Sequence, residues 1–535
     1  MPRYRSPVFP FVRPSELDGR GGRRWPVAIV GAGPVGLAAA IDLALHGIGS
    51  VVLDESNIVS TGSRAICWSK RTLEIFDRLG IGDRVVEKGV TWKVGRLFHR
   101  DREVYAFDLL PEAGHKRPAF VNLQQYYVEE YLVDRARDFP ELIDLRFMSR
   151  VTRAGQDGDH AWVDVETPEG TYRLTADYLV ACDGVRSTVR RTLDLDFVGR
   201  AFEERFLITD VEMAADFPSE RWFWFEPPFH DGQSALLHKQ PDNIYRIDLQ
   251  LGPDADPEVE RQPERVIPRI KAMVGDRAFE VDWISVYSFQ CRRLERFVHG
   301  RVIFAGDSAH IVSPFGARGG NGGIQDVDNL CWKLAAVLKG AAPSTLIESY
   351  NAERVHGADE NILNSARATS FMTPKSPNER LFRDEVLALA GSYPFARQLV
   401  NSGRLSRPCL LAGFQLGTSD AADISGDMIP GAPCLDAPAR GCNGRDGWLL
   451  DYLGGDFVAL GFGRLPPTPD GVRRLIVGDA GDIADPQGLI AARYGGTPGV
   501  VYLIRPDQHV AARFLDPPAA AIADALHRAN GNTAA

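Results

Sequence analysis

Val27-Ala-Ile-Val30, Gly31-Ala32-Gly33-Pro34-Val-Gly36, Leu37-Ala-Ala-Ala-Ile-Asp-Leu-Ala-Leu-His46 and Ser50-Val-Val-Leu53-Asp54-Glu55 stand in this order near the start of the chain. An apolar β-branched run, a glycine turn, an alanine-rich helical stretch and a second apolar run make a strand, turn, helix, strand unit. Such a unit opens a parallel sheet. The G-x-G-x-x-G spacing supplies a tight turn, close backbone approach to a pyrophosphate and close helix–sheet contact, and Asp54 ends the second strand where an acid meets a ribose hydroxyl. A lone glycine motif says little. Here strand, helix and acid are all in place, so the reading is a dinucleotide site rather than a structural turn.

Two distant segments belong with this loop. Cys182-Asp183-Gly184-Val-Arg-Ser187 follows the short apolar strand Tyr178-Leu-Val-Ala181, and alone would be an Asp-Gly turn before an N-capping serine. Gly306-Asp307-Ser-Ala-His310 follows Arg301-Val-Ile-Phe-Ala305. It leads through Ser313-Pro314-Phe-Gly-Ala317-Arg318-Gly319-Gly320-Asn321 into a helix, and a loop so poor in side chains exposes backbone amides to an anionic or carbonyl-rich ligand.

The rest of the 535 residues divides by texture. Residues 1–25 form a Pro, Arg and Gly-rich arm, and 26–200 with 285–370 a discontinuous nucleotide unit. Residues 201–284 are strand-rich, 371–425 a helical connection and 426–535 a small α/β unit. Residues 66–88 read as helical, and the stretch from Leu145 to Arg173 as short antiparallel strands. The composition, 44% hydrophobic and 25% charged, is that of a globular protein. A net charge of −10 gives no basic field for nucleic acid. No apolar run approaches a membrane span, and the N-terminal residues lack a signal peptide's continuous apolar stretch. Seven cysteines without a C-x-x-C pair fit a reducing, cytoplasmic setting. Metal-binding histidine spacings are absent, so no metal is expected.

The order of glycine loop, D-G motif and G-D motif resembles the single-component FAD-dependent aromatic hydroxylases, the class A flavoprotein monooxygenases. The tail, Gly431-Ala-Pro433 and Ala492 to Arg513, is similar to the thioredoxin-like domain of their phenol hydroxylase branch. The implied fold is α/β: a Rossmann-like FAD domain, an inserted mainly antiparallel substrate sheet and a thioredoxin-like C-terminal domain. By resemblance Gly31, Ala32, Gly33, Pro34, Gly36, Asp54 and Glu55 hold the ADP part of FAD. Arg64 and Ala65 lie by the diphosphate or ribose, Gln125 and Asp307 by the ribityl chain, and Asp183 serves FAD and the nicotinamide nucleotide. The loop from Pro314, with Gly319, Gly320 and Asn321, lines the isoalloxazine. The implied reaction uses NADPH or NADH and O₂ to hydroxylate a phenolic small molecule through a flavin C4a-hydroperoxide. A homo-oligomer is compatible with the sequence.

Two departures stand out. Many members carry P-x-G-G-Q-G-x-N where this chain has Ala317 and Arg318. Alanine takes positive φ less easily than glycine, so a differently shaped loop is expected. Arg318 either serves a reduced flavin, an acidic substrate or a coenzyme phosphate, or points to solvent. On the inserted sheet, a three-residue loop Pro241-Asp242-Asn243 would pair His238 with Arg246 on one face, with Asp248 and Gln250 continuing it. His238 or Arg246 would then orient a phenol or carboxylate oxygen, with His238 helping to remove the phenolic proton. That face could equally be the solvent side. Trp222-Phe-Trp224-Phe-Glu-Pro227 approaches a halogenase motif, but Glu226 replaces its isoleucine and an aromatic strand explains it more cheaply. The alternatives are another FAD-dependent oxidoreductase or non-aromatic hydroxylase on the same scaffold, and a non-catalytic FAD-fold binding protein.

Overall fold

The computed structural model describes residues 4–19, 22–230, 232–252, 254–400, 408–420 and 424–532. Parts of the expected arm (1–3, 20–21) and connection (401–407, 421–423), and 533–535, lie outside the described residues.

The first sheet runs in the order Val298–His299, Val302–Phe304, Gly170–Ala181, Trp25–Val30, Ser50–Leu53, Ile143–Arg146. Its four strands from Val302–Phe304 to Ser50–Leu53 pair in parallel, as does the edge strand Ile143–Arg146. Val27, Ile29 and Val52 are fully buried, because a parallel sheet is covered on both faces. The helix Pro34–Leu45 covers one of them, with Gly33 as its N-cap and Pro34 in its first turn. Antiparallel strands Arg150–Asp157 and His160–Thr167 extend Gly170–Ala181, as the alternation predicts, but Leu145 belongs to the parallel edge.

The stretch 66–88 begins differently from expectation. Cys67–Ser69 is a strand paired with Phe120–Asn122, and two helices, Lys70–Leu79 and Gly82–Lys88, follow. Gly80, at φ 88, ends the first helix. The strand owes its form to a partner fifty residues away, which local periodicity does not register.

The second sheet has eight strands: His310–Ile311, Glu280–Leu294, Phe197–Glu212, Ile244–Leu251, Ser234–Lys239, Arg221–Phe225, Val94–His99 and Arg102–Asp108. The last two are a hairpin from within the segment read as nucleotide unit. Its two faces differ. On one, Leu207, Val211, Leu237, Ile247 and Leu249 meet Val266, Ile270 and Val274 of the helix Pro263–Val274. The other carries Phe206, Ile208, Phe223, Phe225 and Leu236, and the ring of Phe206 meets Phe315 edge-on at 5.1 Å. This second face looks onto the loop of residues 314–321.

The third sheet is mixed and seven-stranded, with Phe457–Phe462 between Val472–Val477 and Val500–Ile504. Its Arg505 pairs with Glu353 (2.7 Å), which also pairs with Lys333 (2.8 Å) of the long helix Gly319–Leu338. Asp507 joins the same buried cluster through Arg505. Arg71 binds both Asp328 of that helix (3.1 Å) and the Asp507 carbonyl (2.7 Å).

Candidate active site

The glycine loop is closed against the other two motifs. Gly31 sits at φ 103, and a Cβ there would lie 2.5 Å from the Cys182 carbonyl oxygen. A Cβ on Gly36 would fall 1.9 Å from the Gly31 carbonyl, which is why the helix can start so close to the strand. Asp54 braces the turn: its carboxylate accepts from the Ala32 amide (2.6 Å) and the Ser56 amide (2.8 Å). Burial nevertheless raises its pKa. Glu55 beside it is exposed.

Asp183 accepts from the Val189 amide at 3.1 Å through one oxygen, while the other, Oδ1, is buried with no partner. Ser187 caps the helix Thr188–Thr192. Across the cleft, Ala65 donates to Gln125 Oε1 (3.1 Å), and Gln125 Nε2 donates to Glu129 (2.7 Å). Arg64 is exposed. Asp307 opens onto the cleft although protein encloses it closely enough to raise its carboxyl pKa by burial. The segment behind it is held by Asp326, which is fully buried and bonded to His310 (2.6 Å), Arg354 (2.8 Å) and the Gly306 amide (2.9 Å). His310 and Arg354 keep the Asp326 pKa low against its burial.

Gly316 has φ 98 and Ala317 φ 51, so the loop enters the left-handed region at both residues. The alanine adopts a positive φ to which it is less suited than glycine. A compact methyl tolerates the left-handed region at a cost of about 1 kcal/mol. The Ala317 amide donates to the Pro314 carbonyl at 3.0 Å, closing the turn, and Pro314 is itself exposed. The Asn321 side chain fastens the loop, accepting from the Ser69 amide (2.9 Å) and donating to the Cys67 and Ala317 carbonyls. Gly319 and Gly320 begin the helix Gly319–Leu338, where first-turn amides lack intrahelical partners. Arg318 does not point to solvent. It is 8% exposed and donates to Asn361 Oδ1 at 3.1 Å.

The hairpin loop is Pro241–Asn243, closed by the Gln240 amide donating to the Ile244 carbonyl (2.8 Å), so His238 pairs with Arg246 as the three-residue loop requires. The line continues across the sheet as Arg221, His238, Arg246, Asp210 and Trp283. It lies on the face turned to the 314–321 loop, away from the helix Pro263–Val274. Trp222 and Trp224 alternate to the apolar face, where they pack with one another and with Phe98, as an aromatic strand would.

Two expected roles change with this geometry. The Arg246 guanidinium donates to the Arg64 carbonyl (3.0 Å), the Ser63 carbonyl and Ser63 Oγ (2.9 Å), and lies 3.4 Å from Asp210. It is committed to the loop that carries Arg64 rather than open to a substrate. His238 is 5% exposed, with Nδ1 3.9 Å from Cys67 Sγ. Burial, then the charges of Arg221 and Arg246, push its pKa well below the usual histidine value, so it is a neutral hydrogen-bonding group and a poor proton acceptor.

Sequence reading gave no role to Arg221 and none beyond its face to Asp248. Asp248 Oδ1 is buried with no hydrogen-bond donor and lies 3.9 Å from Arg246 Nε, and burial raises its pKa to about 6. Arg221 lines a cavity of about 600 Å³, counting its mouth, together with Phe107, Phe223, Phe225, Phe315 and Arg318. The only sequence signal of Arg221 and Asp248 was alternation on a strand.

The family described as FAD binding domain matches residues 24–365. A "Flavin-dependent monooxygenase" of Mycobacteroides abscessus is 34% identical over 62% of this chain and 71% of its own length. A "3-(3-hydroxy-phenyl)propionate/3-hydroxycinnamic acid hydroxylase" of Burkholderia cenocepacia is 30% identical over 82% and 79% respectively. The structure of the flavin-dependent monooxygenase PieE, with FAD and substrate, superposes with a TM-score of 0.79 over 95% of this chain and 99% of PieE, at 23% identity. The glycine cradle, the orphaned Asp183 oxygen and the open helix N-termini fit FAD, and the chain belongs to the FAD-binding family of flavin-dependent monooxygenases.

Proposed function

We propose that the protein hydroxylates the ring of a small aromatic compound, with NADPH or NADH as electron donor and O₂ as oxygen source. The observation that supports this most directly is the aromatic cavity between the polar face of the second sheet and the 314–318 loop. When bound, FAD supplies the redox and oxygen-transfer chemistry that protein side chains lack. Gly31 to Gly36, Asp54, Arg64, Gln125, Asp183 and Asp307 would hold it, with Gly319, Gly320 and Asn321 at the ring.

The chain's own residues supply enclosure and orientation. Phe223, Phe225 and Phe315 sandwich an aromatic ring and exclude water. His238 keeps a neutral imidazole for a ring hydroxyl, and Asp248, with its pKa raised to about 6, is the carboxyl on this face able to take up a proton near neutrality. Arg246 holds the Ser63–Arg64 loop against the sheet. No helix among the described residues is long and apolar enough to cross a membrane, which supports the cytoplasmic setting we propose.

The test is NAD(P)H oxidation by the purified FAD-loaded protein against a panel of phenols and hydroxybenzoates. At least one is expected to stimulate it and to yield a product heavier by one oxygen atom, labelled from ¹⁸O₂. Stimulated oxidation with an aromatic product lacking the label would replace hydroxylation by dehydrogenation.

A further inference from the structure

The cavity contains a charge that the protein leaves uncompensated. Three arginines line it: Arg96, Arg221 and Arg318. Arg96 is neutralised by Glu220 (2.9 Å) and Glu103 (2.8 Å). Arg318 is tied to Asn361 on the helix Leu346–Met372. Arg221 differs from both. Its Nε is buried with no acceptor, and no ion pair among the described residues reaches its guanidinium. Burial lowers its pKa, against the opposing influence of Cys67 and Asp248. None of the described residues lining the cavity is acidic.

A half-buried guanidinium whose Nε is buried without an acceptor presents a planar fork of donors matched to a carboxylate. Its neighbours on the same strand face are Phe223 and Phe225, whose rings meet at 4.5 Å. Phe315 closes the other side from the loop next to Arg318. The cavity thus offers an apolar slot for a ring with a fixed cation at the head of the strand that forms its wall.

We infer that the substrate is an aromatic compound bearing an anionic group, a carboxylate, and that Arg221 is the residue that selects it by pairing with that group. This rests on the aromatic hydroxylase reading and narrows its substrate class. His238, adjacent to Arg221 across the strand pair, then faces the polar substituents of the same ring. Pairing places the anion at the sheet and leaves the ring between the phenylalanines and the 314–318 loop.

The experiment uses matched probes: hydroxybenzoates and hydroxyphenyl-alkanoates, each beside its primary amide, which has the same shape and no charge. Affinity is read from perturbation of the bound-flavin spectrum and from stimulated NAD(P)H oxidation. The acid is expected to bind on the order of 10- to 100-fold more tightly than its amide, the range of a hydrogen bond to a charged group. The ratio should collapse to about one in Arg221→Gln and survive in part in Arg221→Lys. FAD content and melting temperature show whether each variant is folded. If Arg221→Gln does not hold FAD, the wild-type ratio and its fall in Arg221→Lys decide.

Equal binding of acid and amide by the wild-type protein overturns the inference while leaving aromatic hydroxylation intact. So does a preference that persists in Arg221→Gln. Loss of NADPH over NADH discrimination in Arg221→Gln, with the acid-to-amide ratio unchanged, would assign the cation to a coenzyme phosphate and also overturn it. If no phenol of either kind binds or stimulates, the aromatic reading itself fails and takes the inference with it.

Discussion

The two faces of the second sheet are made by alternate residues of the same strands and obey different rules. On the outer face, Leu237, Ile247 and Leu249 meet Val266 and Ile270 of a covering helix, with no polar group to satisfy. On the inner face, His238, Arg246 and Asp210 are buried and Arg221 is half-buried beside them, and each polar group needs a partner. Arg246 and Asp210 are partnered and Asp248 lies 3.9 Å from Arg246, whereas no ion pair among the described residues reaches Arg221. The strand period thus separates a stabilising surface from a chemical one at a spacing of one residue. Unpartnered buried groups mark the chemical one.

The comparison breaks most forcefully at Arg246. Arg246→Met leaves Asp210 and two backbone carbonyls buried without their cation, and is expected to cost about 3–5 kcal/mol in urea denaturation and to weaken FAD retention. A smaller loss would mean that the row is more hydrated than its burial indicates. On the outer face, Ile247→Ala should cost about 2–4 kcal/mol through its cavity while the folded fraction keeps its turnover per bound FAD. Reduced turnover per FAD would show that the faces are not independent.

His238→Asn should slow oxygen transfer by up to about 10-fold, the range of one neutral hydrogen bond, with flavin reduction unchanged, as rapid-mixing kinetics of the two half-reactions can show. Its stability effect carries a pH signature. The folded His238 pKa is depressed, so the stability it contributes is present above the unfolded value near 6.5 and is lost as pH falls below it. The gap between wild type and His238→Asn in urea denaturation should therefore shrink from pH 7 to pH 5. The smallest effect belongs to the loop: Ala317→Gly should change stability by less than about 1 kcal/mol and leave the flavin spectrum in place, since relief of positive φ is offset by a freer unfolded chain.

The nucleotide unit was legible because its constraints are local. Gly31, Gly36 and Asp54 are fixed by a turn, a helix start and a strand end within one βαβ unit. The pairing of His238 with Arg246 was legible for the same reason, since three loop residues set the register. What was not legible depended on distant chain. Arg246 is occupied by Ser63 and Arg64, some 180 residues earlier. Arg318 is turned inward by Asn361, and Cys67–Ser69 is a strand because Phe120–Asn122 lies beside it. A single strand pattern also cannot distinguish a charged residue on the solvent side from Arg221 in the wall of an aromatic cavity.

The buried cluster of Arg505, Asp507, Glu353 and Lys333 bears on how the molecule is made. The ribosome delivers Glu353 and the helix Gly319–Leu338 well before Arg505 and Asp507, which add a second buried ion pair beside Glu353 and Lys333. Until residue 507 has left the exit tunnel, Glu353 lacks its Arg505 partner and Asn329 of that helix lacks its Asp507 acceptor. The C-terminal unit is thus the keystone of assembly, and the nucleotide half reaches its finished form only after residue 507 has been synthesised.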